Sequence, residues 1–159
     1  SMTGWRIGYT IANDEWTRQM VKLQSHSATH PTSFVQYACA RAMERREESI
    51  NAVNTMLAEY KRRRDWLIPE LRKINGFKCS KPEGAFYAFV DARDLLRGEF
   101  KTSADITDFL LHEAQVVATD GAGFGAEGFL RFSYATSMEN LQNAVERMKS
   151  IFRSKSQIA

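Results

Sequence analysis

The stretch Phe129-Leu130-Arg131-Phe132-Ser133-Tyr134-Ala135 alternates strictly, with Leu130, Phe132 and Tyr134 on one side and Arg131 with Ser133 on the other. Period two is the pleat of a strand that lays one face on a core, and no helix accommodates it. The flanking segments fix what that strand can join. Residues 77–80 and 85–90 read as two further strands, separated by the turn-forming Pro82-Glu83-Gly84. Thr102 or Ser103 opens a helix carrying Ile106, Phe109 and Leu110, and residues 116–119 form a short strand. Residues 120–128 are a glycine-rich loop. After the alternating strand, Thr136-Ser137-Met138-Glu139 has capping-box spacing and opens a last helix that buries Leu141, Ala144, Val145, Met148 and Phe152. The class is α/β, with an α+β unit in the second half of the chain.

The first half is built differently. Ile50, Val53, Leu57, Tyr60, Leu67, Leu71 and Ile74 recur at steps of three and four, the stripe of a long helix. Pro69 should kink or divide that helix, and Gly76 should stop it. Upstream, Asn13 or Asp14 caps a helix over residues 15–24, and Pro31 marks the break before a second helix over 33–46. Residues 5–12 alternate as well, which predicts a strand with Trp5, Ile7, Tyr9 and Ile11 on one face and Arg6 alone among small residues on the other. One strand and two helices cannot close a sheet. Residues 1–50 are therefore expected to be an incomplete domain, 51–75 a connecting helix, and 76–159 a second domain.

Composition narrows the chemistry. In 159 residues the chain carries 22 basic and 19 acidic side chains, a net charge of +3, and the two signs are interleaved. The run Lys61-Arg62-Arg63-Arg64 lies in a helical pattern without interleaved aromatic residues, so nucleic acid is not an expected partner. No apolar run is long enough for a membrane span, and no membrane partner is expected. Cys39 and Cys79 match no metal spacing and read as buried reduced thiols in a cytoplasmic protein. His26 and His30 stand four apart, but Pro31 keeps them off a common helix face, and no metal site is expected. There is no Gly-x-Ser-x-Gly elbow, no dinucleotide fingerprint, and no nucleophile with its base.

What stands out is a pair of arginines, Arg6 and Arg131, each in mid-strand on a face of small or polar residues. A guanidinium is a rigid planar fork that matches phosphate or carboxylate two oxygens at a time. Internal salt bridges to Asp or Glu are the structural alternative, and the strand pattern alone leaves both open.

Five blocks in this order carry a resemblance: "MTGWRIGY", "HSATHPTSFVQYA", "YKRRRDWLIPEL", "KPEGAFYAFVD" and "FLRFSYATSMENLQNAVERM". Together they resemble the carboxy-terminal part of class I/II aminotransferases of fold type I, in particular the bacterial aspartate aminotransferase branch. The resemblance implies a tail of the large cofactor domain, the connecting helix and the whole small domain. It implies pyridoxal phosphate as cofactor, amino-acid and 2-oxo-acid substrates, and a homodimer. It assigns Arg6 to the cofactor phosphate and Arg131 to the substrate carboxylate. The lysine that carries the cofactor in that family lies four positions before the Met2 equivalent, so it falls outside these residues. No catalytic residue is assigned within the chain, and the chain by itself is expected to be inactive. A fold type I lyase, or the ligand-sensing domain of a transcription regulator, would share the scaffold. His30 stands where the family often has asparagine before the proline, and Ala118-Thr119-Asp120-Gly121 replaces its commoner proline-glycine loop.

Overall fold

The computed structural model describes residues 3–156 and places every strand after Gly76. Backbone packing divides the chain into two units, residues up to Met56 and residues from Leu57 onward.

In the first unit, Thr3–Trp5 form a single 3-10 turn, followed by an extended segment and by helices α1 (Asp14–Ser27) and α2 (Ser33–Glu44). The Asn13 side chain accepts from the Trp16 amide at 3.0 Å and so starts α1. The strand predicted over 5–12 does not form. Arg6 takes φ 54°, a left-handed conformation that breaks the period-two pleat. The reason is also topological, because a strand needs a neighbour for its backbone groups, and no other strand lies in this unit's described residues. Helix α1 buries none of its residues and α2 only Val35. Trp5 meets Phe34 edge to face with centroids 5.8 Å apart.

Helix α3 (Arg46–Leu71) begins in the first unit and ends in the second. Pro69 does not divide it. It falls in the last turn, where a missing amide costs the helix one bond near an end that frays anyway. The apolar stripe is used unevenly: Leu67, Ile68 and Leu71 are buried, whereas Ile50, Val53 and Leu57 are exposed. After the helix, Gly76 takes φ +87°, and a Cβ there would lie 2.4 Å from the Leu95 side chain. Only glycine fits both the turn and the approach.

The second unit is a four-stranded antiparallel sheet, β1 (Lys78–Cys79), β2 (Tyr87–Asp91), β3 (Thr119–Asp120) and β4 (Phe129–Ser133), in the order β1-β2-β4-β3. Helix α4 (Ser103–Ala114) and helix α5 (Met138–Ser156) complete it. The alternation of β4 works as read: Leu130, Phe132 and Tyr134 enter the core, joined by Ala88 and Val90 of β2 and by Ile106 and Leu110 of α4. The observed strands are shorter than expected, with β1 two residues long and β3 starting only at Thr119.

Capping chemistry sets both helix starts. Thr102 and Asp105 form a reciprocal capping box at α4. At α5 the box spacing beginning at Thr136 is not used: the Ser137 hydroxyl accepts from the Asn140 amide at 3.1 Å, one position later than expected. At the other end of α4, Gln115 turns left-handed with φ 52°, and the Arg147 guanidinium donates to the Ala114 carbonyl at 2.7 Å.

The contrast in burial predicts the order in which the chain opens. Limited proteolysis should cut within residues 6–45 first and leave a fragment protected from about Leu57 to Phe152, because local opening is cheap where few side chains are buried. Equal protection from the first helix onward would contradict this.

Candidate functional site

The sheet has two faces. One is the core; the other carries Tyr87, Phe89 and Asp91 of β2, Phe129, Arg131 and Ser133 of β4, and Thr119 of β3. On this second face Arg131 pairs in register with Phe89 on one side and Thr119 on the other. Its guanidinium carbon lies 4.4 Å from the Tyr87 ring centroid and 4.5 Å from that of Phe124, which reaches it from the glycine-rich loop. Nη2 approaches the Thr119 hydroxyl at 3.4 Å. Arg131 is half-buried, yet no carboxylate pairs with it among the described residues.

Neither an Asp nor a Glu forms the internal salt bridge that the strand pattern left open for Arg131, among the described residues. The guanidinium carbon lies over both ring faces, and the Thr119 hydroxyl is its one hydrogen-bond partner among the described residues. Arg131 is thus flanked by two rings, and most of its N–H donors have no acceptor among the described residues. The neighbouring cation on this face is differently placed: Arg93 stands 5.2 Å from the Phe129 ring centroid, but it already donates to both oxygens of Asp91, at 2.9 and 2.8 Å.

Arg6 lies in the first unit, in the irregular segment rather than on a strand face. Its guanidinium is exposed and makes no ion pair or hydrogen bond among the described residues. The one lysine of residues 1–56 is Lys22, on the exposed surface of α1.

The three arginines of the basic run of α3 are satisfied within their own unit. Arg62 and Arg63 both donate to Glu59, at 2.8 and 2.7 Å, and Arg64 donates to Asp65 at 2.9 Å and to the Pro82 carbonyl at 3.1 Å. The Arg62 hydrogen bond, with Arg63 behind it, holds Glu59 down at about 2, and Arg64 with Lys81 holds Asp65 at about 2. Both folded values lie below the unfolded carboxylate range near ~4. Their stabilisation is therefore present at neutral pH and is lost as pH falls through the folded values. The melting temperature should be level from pH 7 to about 5 and then fall steadily towards pH 2; a level profile down to pH 2 would show that these pairs contribute nothing.

Sequence reasoning singled out Arg131 and missed its clamp. Tyr87 and Thr119 could have been found from strand register, but register depends on which strands pair. Phe124 sits in a loop without periodicity. Also unanticipated is a polar cluster under that loop, where the hydroxyl of the fully buried Ser103 meets Asp120 and, at 2.7 Å, Glu127. Hydrogen bonds from Ser103, then from the Ala122 amide, hold Asp120 below the usual carboxylate range, and the Ser103 amide does the same for Glu127. Cys79 is buried, and desolvation pushes its thiol up, away from a reactive thiolate. His30 places Nδ1 2.8 Å from the Pro31 carbonyl. No helix among the described residues is long and apolar enough to cross a membrane.

Comparison with known proteins adds an independent line. The family model for aminotransferase class I and II matches residues 1–148. A probable aspartate/prephenate aminotransferase of Aquifex aeolicus is 43% identical over 94% of this chain and 37% of its own length. An aspartate aminotransferase of Pyrococcus abyssi is 41% identical over 98% of this chain and 39% of its own. Among solved structures, an aromatic aminotransferase from Pyrococcus horikoshii OT3 superposes with a TM-score of 0.86 at 40% identity, covering 98% of this chain and 40% of that one. An aspartate aminotransferase from Thermus thermophilus with maleate gives 0.84 at 37% identity, covering 94% and 38%. The chain spans about two-fifths of the length of the relatives it matches.

Proposed function

We propose that this chain, which belongs to the aminotransferase class I and II family, supplies the carboxylate-binding part of a pyridoxal-phosphate-dependent enzyme that moves an amino group between an amino acid and a 2-oxo acid. The observation that carries the reading is Arg131, half-buried, flanked by two rings and without a carboxylate partner among the described residues. In that position its fork takes the substrate α-carboxylate, which both partners of an amino transfer possess. Arg6, with its uncommitted guanidinium, takes the phosphate of the cofactor. When bound, pyridoxal phosphate supplies the electron sink that amino transfer needs. The chain's own contribution is orientation: a carboxylate gripped at two oxygens cannot rotate about its axis, which fixes the bond to be broken. We place the reacting lysine outside these 159 residues, the domains as a large-domain tail over 1–50, a connecting helix over 51–75 and a small domain over 76–159, and the working assembly as a cytoplasmic homodimer.

Maleate, present in the Thermus structure, is the probe that tests the Arg131 assignment. Titrated into the 159-residue chain, it should shift the side-chain Nε–H resonance of Arg131, identified by its disappearance in Arg131→Lys. An unmoved resonance at saturating maleate, with shifts elsewhere, would remove Arg131 from the site. Two further outcomes are expected of the chain as it stands. Supplied with pyridoxal phosphate, aspartate and 2-oxoglutarate, it should show no turnover; measurable product would place the reacting group inside the chain. Its first unit exposes Trp5, Tyr9, Ile11, Trp16, Leu23, Phe34 and Tyr37, so light scattering should find it self-associated rather than monomeric at tens of micromolar.

A further inference from the structure

The loop that brings Phe124 to Arg131 is not held by its own length. Its first residue, Asp120, accepts from the Ala122 amide at 3.0 Å and from the Ser103 hydroxyl. Near its other end, Glu127 accepts from the Ser103 amide at 2.6 Å and the Gly128 amide at 3.1 Å, and its Oε1 lies 2.7 Å from the Ser103 hydroxyl oxygen. The Ser103 hydroxyl has a single proton, and Glu127 already has two amide donors, so the hydroxyl proton goes to Asp120. Both carboxylates sit at the amino-terminal end of α4, where the helix dipole favours negative charge. Between these anchors the chain folds on itself. Phe124 and Ala126 both donate to the Gly121 carbonyl, at 2.9 and 3.0 Å, and a Cβ on Gly121 would lie 2.5 Å from the carbonyl oxygens of Ala126 and Phe129. The loop is therefore a rigid arch fastened at both ends to one serine, and Phe124 stands on it, over the Arg131 guanidinium.

We propose that Ser103, Asp120 and Glu127 form a latch that positions Phe124 against Arg131 and so sets the orientation of the carboxylate fork. The inference rests on the carboxylate reading of Arg131. The three latch residues touch no ligand in it; they act through the loop and are positioning residues. Ser103 is the necessary hinge point because it is completely buried and, alone among the described residues, bonds both carboxylates, Asp120 through its hydroxyl and Glu127 through its amide.

The Arg131 Nε–H resonance reads the geometry without any ligand, since protons over an aromatic face move upfield. Phe124→Ala should shift it downfield, marking the full effect. Asp120→Ala and Glu127→Ala, which cut one end of the arch each, should move it at least part of the way in the same direction. Asp120→Asn, which keeps the acceptor oxygen for Ser103 and Ala122, should return it close to the parent position. Maleate affinity should fall about three-fold or more in the two alanine variants and recover in Asp120→Asn. Either alanine variant decides the matter if the other loses its fold. The latch is overturned if the resonance and the affinity stay at parent values in a folded alanine variant while Phe124→Ala moves both, or if Asp120→Asn behaves like Asp120→Ala. Failure of the underlying reading looks different: the parent chain itself would then leave Arg131 unmoved by maleate.

Discussion

Leu110→Ala is expected to destabilise the sheet-bearing unit by about 2–5 kcal/mol, the range for removing a buried leucine whose surroundings cannot collapse. Leu110 has no accessible surface and belongs to the core shared by α4, α5 and the inner face of the sheet. Its carbonyl also accepts from the Val116 amide at 3.0 Å, beyond the helix end, so the backbone there is tied down and cannot close over the void. The adjacent Leu111 is the internal control, since it is 46% exposed and its truncation should stay within about 0.5 kcal/mol. Urea unfolding of both variants, followed by far-ultraviolet circular dichroism, separates the two: the midpoint should drop for Leu110→Ala with little change in slope. Equal losses at the two positions would mean that α4 does not present the face described.

The second large effect is at Arg131. Lysine keeps the charge but loses the planar fork and its approach to the Tyr87 and Phe124 rings. About 1.5–3 kcal/mol of charge-assisted hydrogen bonding is at stake, roughly ten- to 150-fold in carboxylate affinity. For the 159-residue chain this should move maleate binding out of measurable range, with the melting temperature nearly unchanged because Arg131 has no ion pair to lose among the described residues. A retained affinity together with a lower melting temperature would make Arg131 a structural residue.

The residues that were legible in the sequence are those whose environment is set by a repeating backbone. The alternation of 129–135 gave both the inward face of β4 and the outward Arg131, because the pleat imposes it once a core exists on one side. The same alternation at 5–12 misled, since periodicity reports a face only where a neighbouring strand completes the ladder, and among the first unit's described residues there is none. The stripe of α3 was read correctly as a helix, yet only its carboxy-terminal part is buried, and spacing alone does not say what covers a face. The capping boxes show how local competition is settled. Thr102 wins its cap through Asp105, whereas at α5 Ser137 displaces Thr136, whose hydroxyl instead accepts from the Asn140 side chain at 3.0 Å.

The site divides along the same line. Arg131 was visible because it interrupts a pattern. Tyr87, Thr119 and Phe124 were not, because they come from two other strands and a loop that meet Arg131 only through sheet register and through the arch above it. The latch was hidden for a further reason: Ser103, Asp120 and Glu127 are ordinary residues at separations of 17 and 24 positions from the serine, with no motif to announce them.

The most direct measurement is a crystal structure of the 159-residue chain with maleate bound. The account predicts one maleate carboxylate in the plane of the Arg131 guanidinium, with two N–H donors at about 2.7–2.9 Å, and the Tyr87 and Phe124 rings still on its faces. Arg131 paired instead with a carboxylate of the protein, and maleate bound elsewhere or not at all, would contradict it.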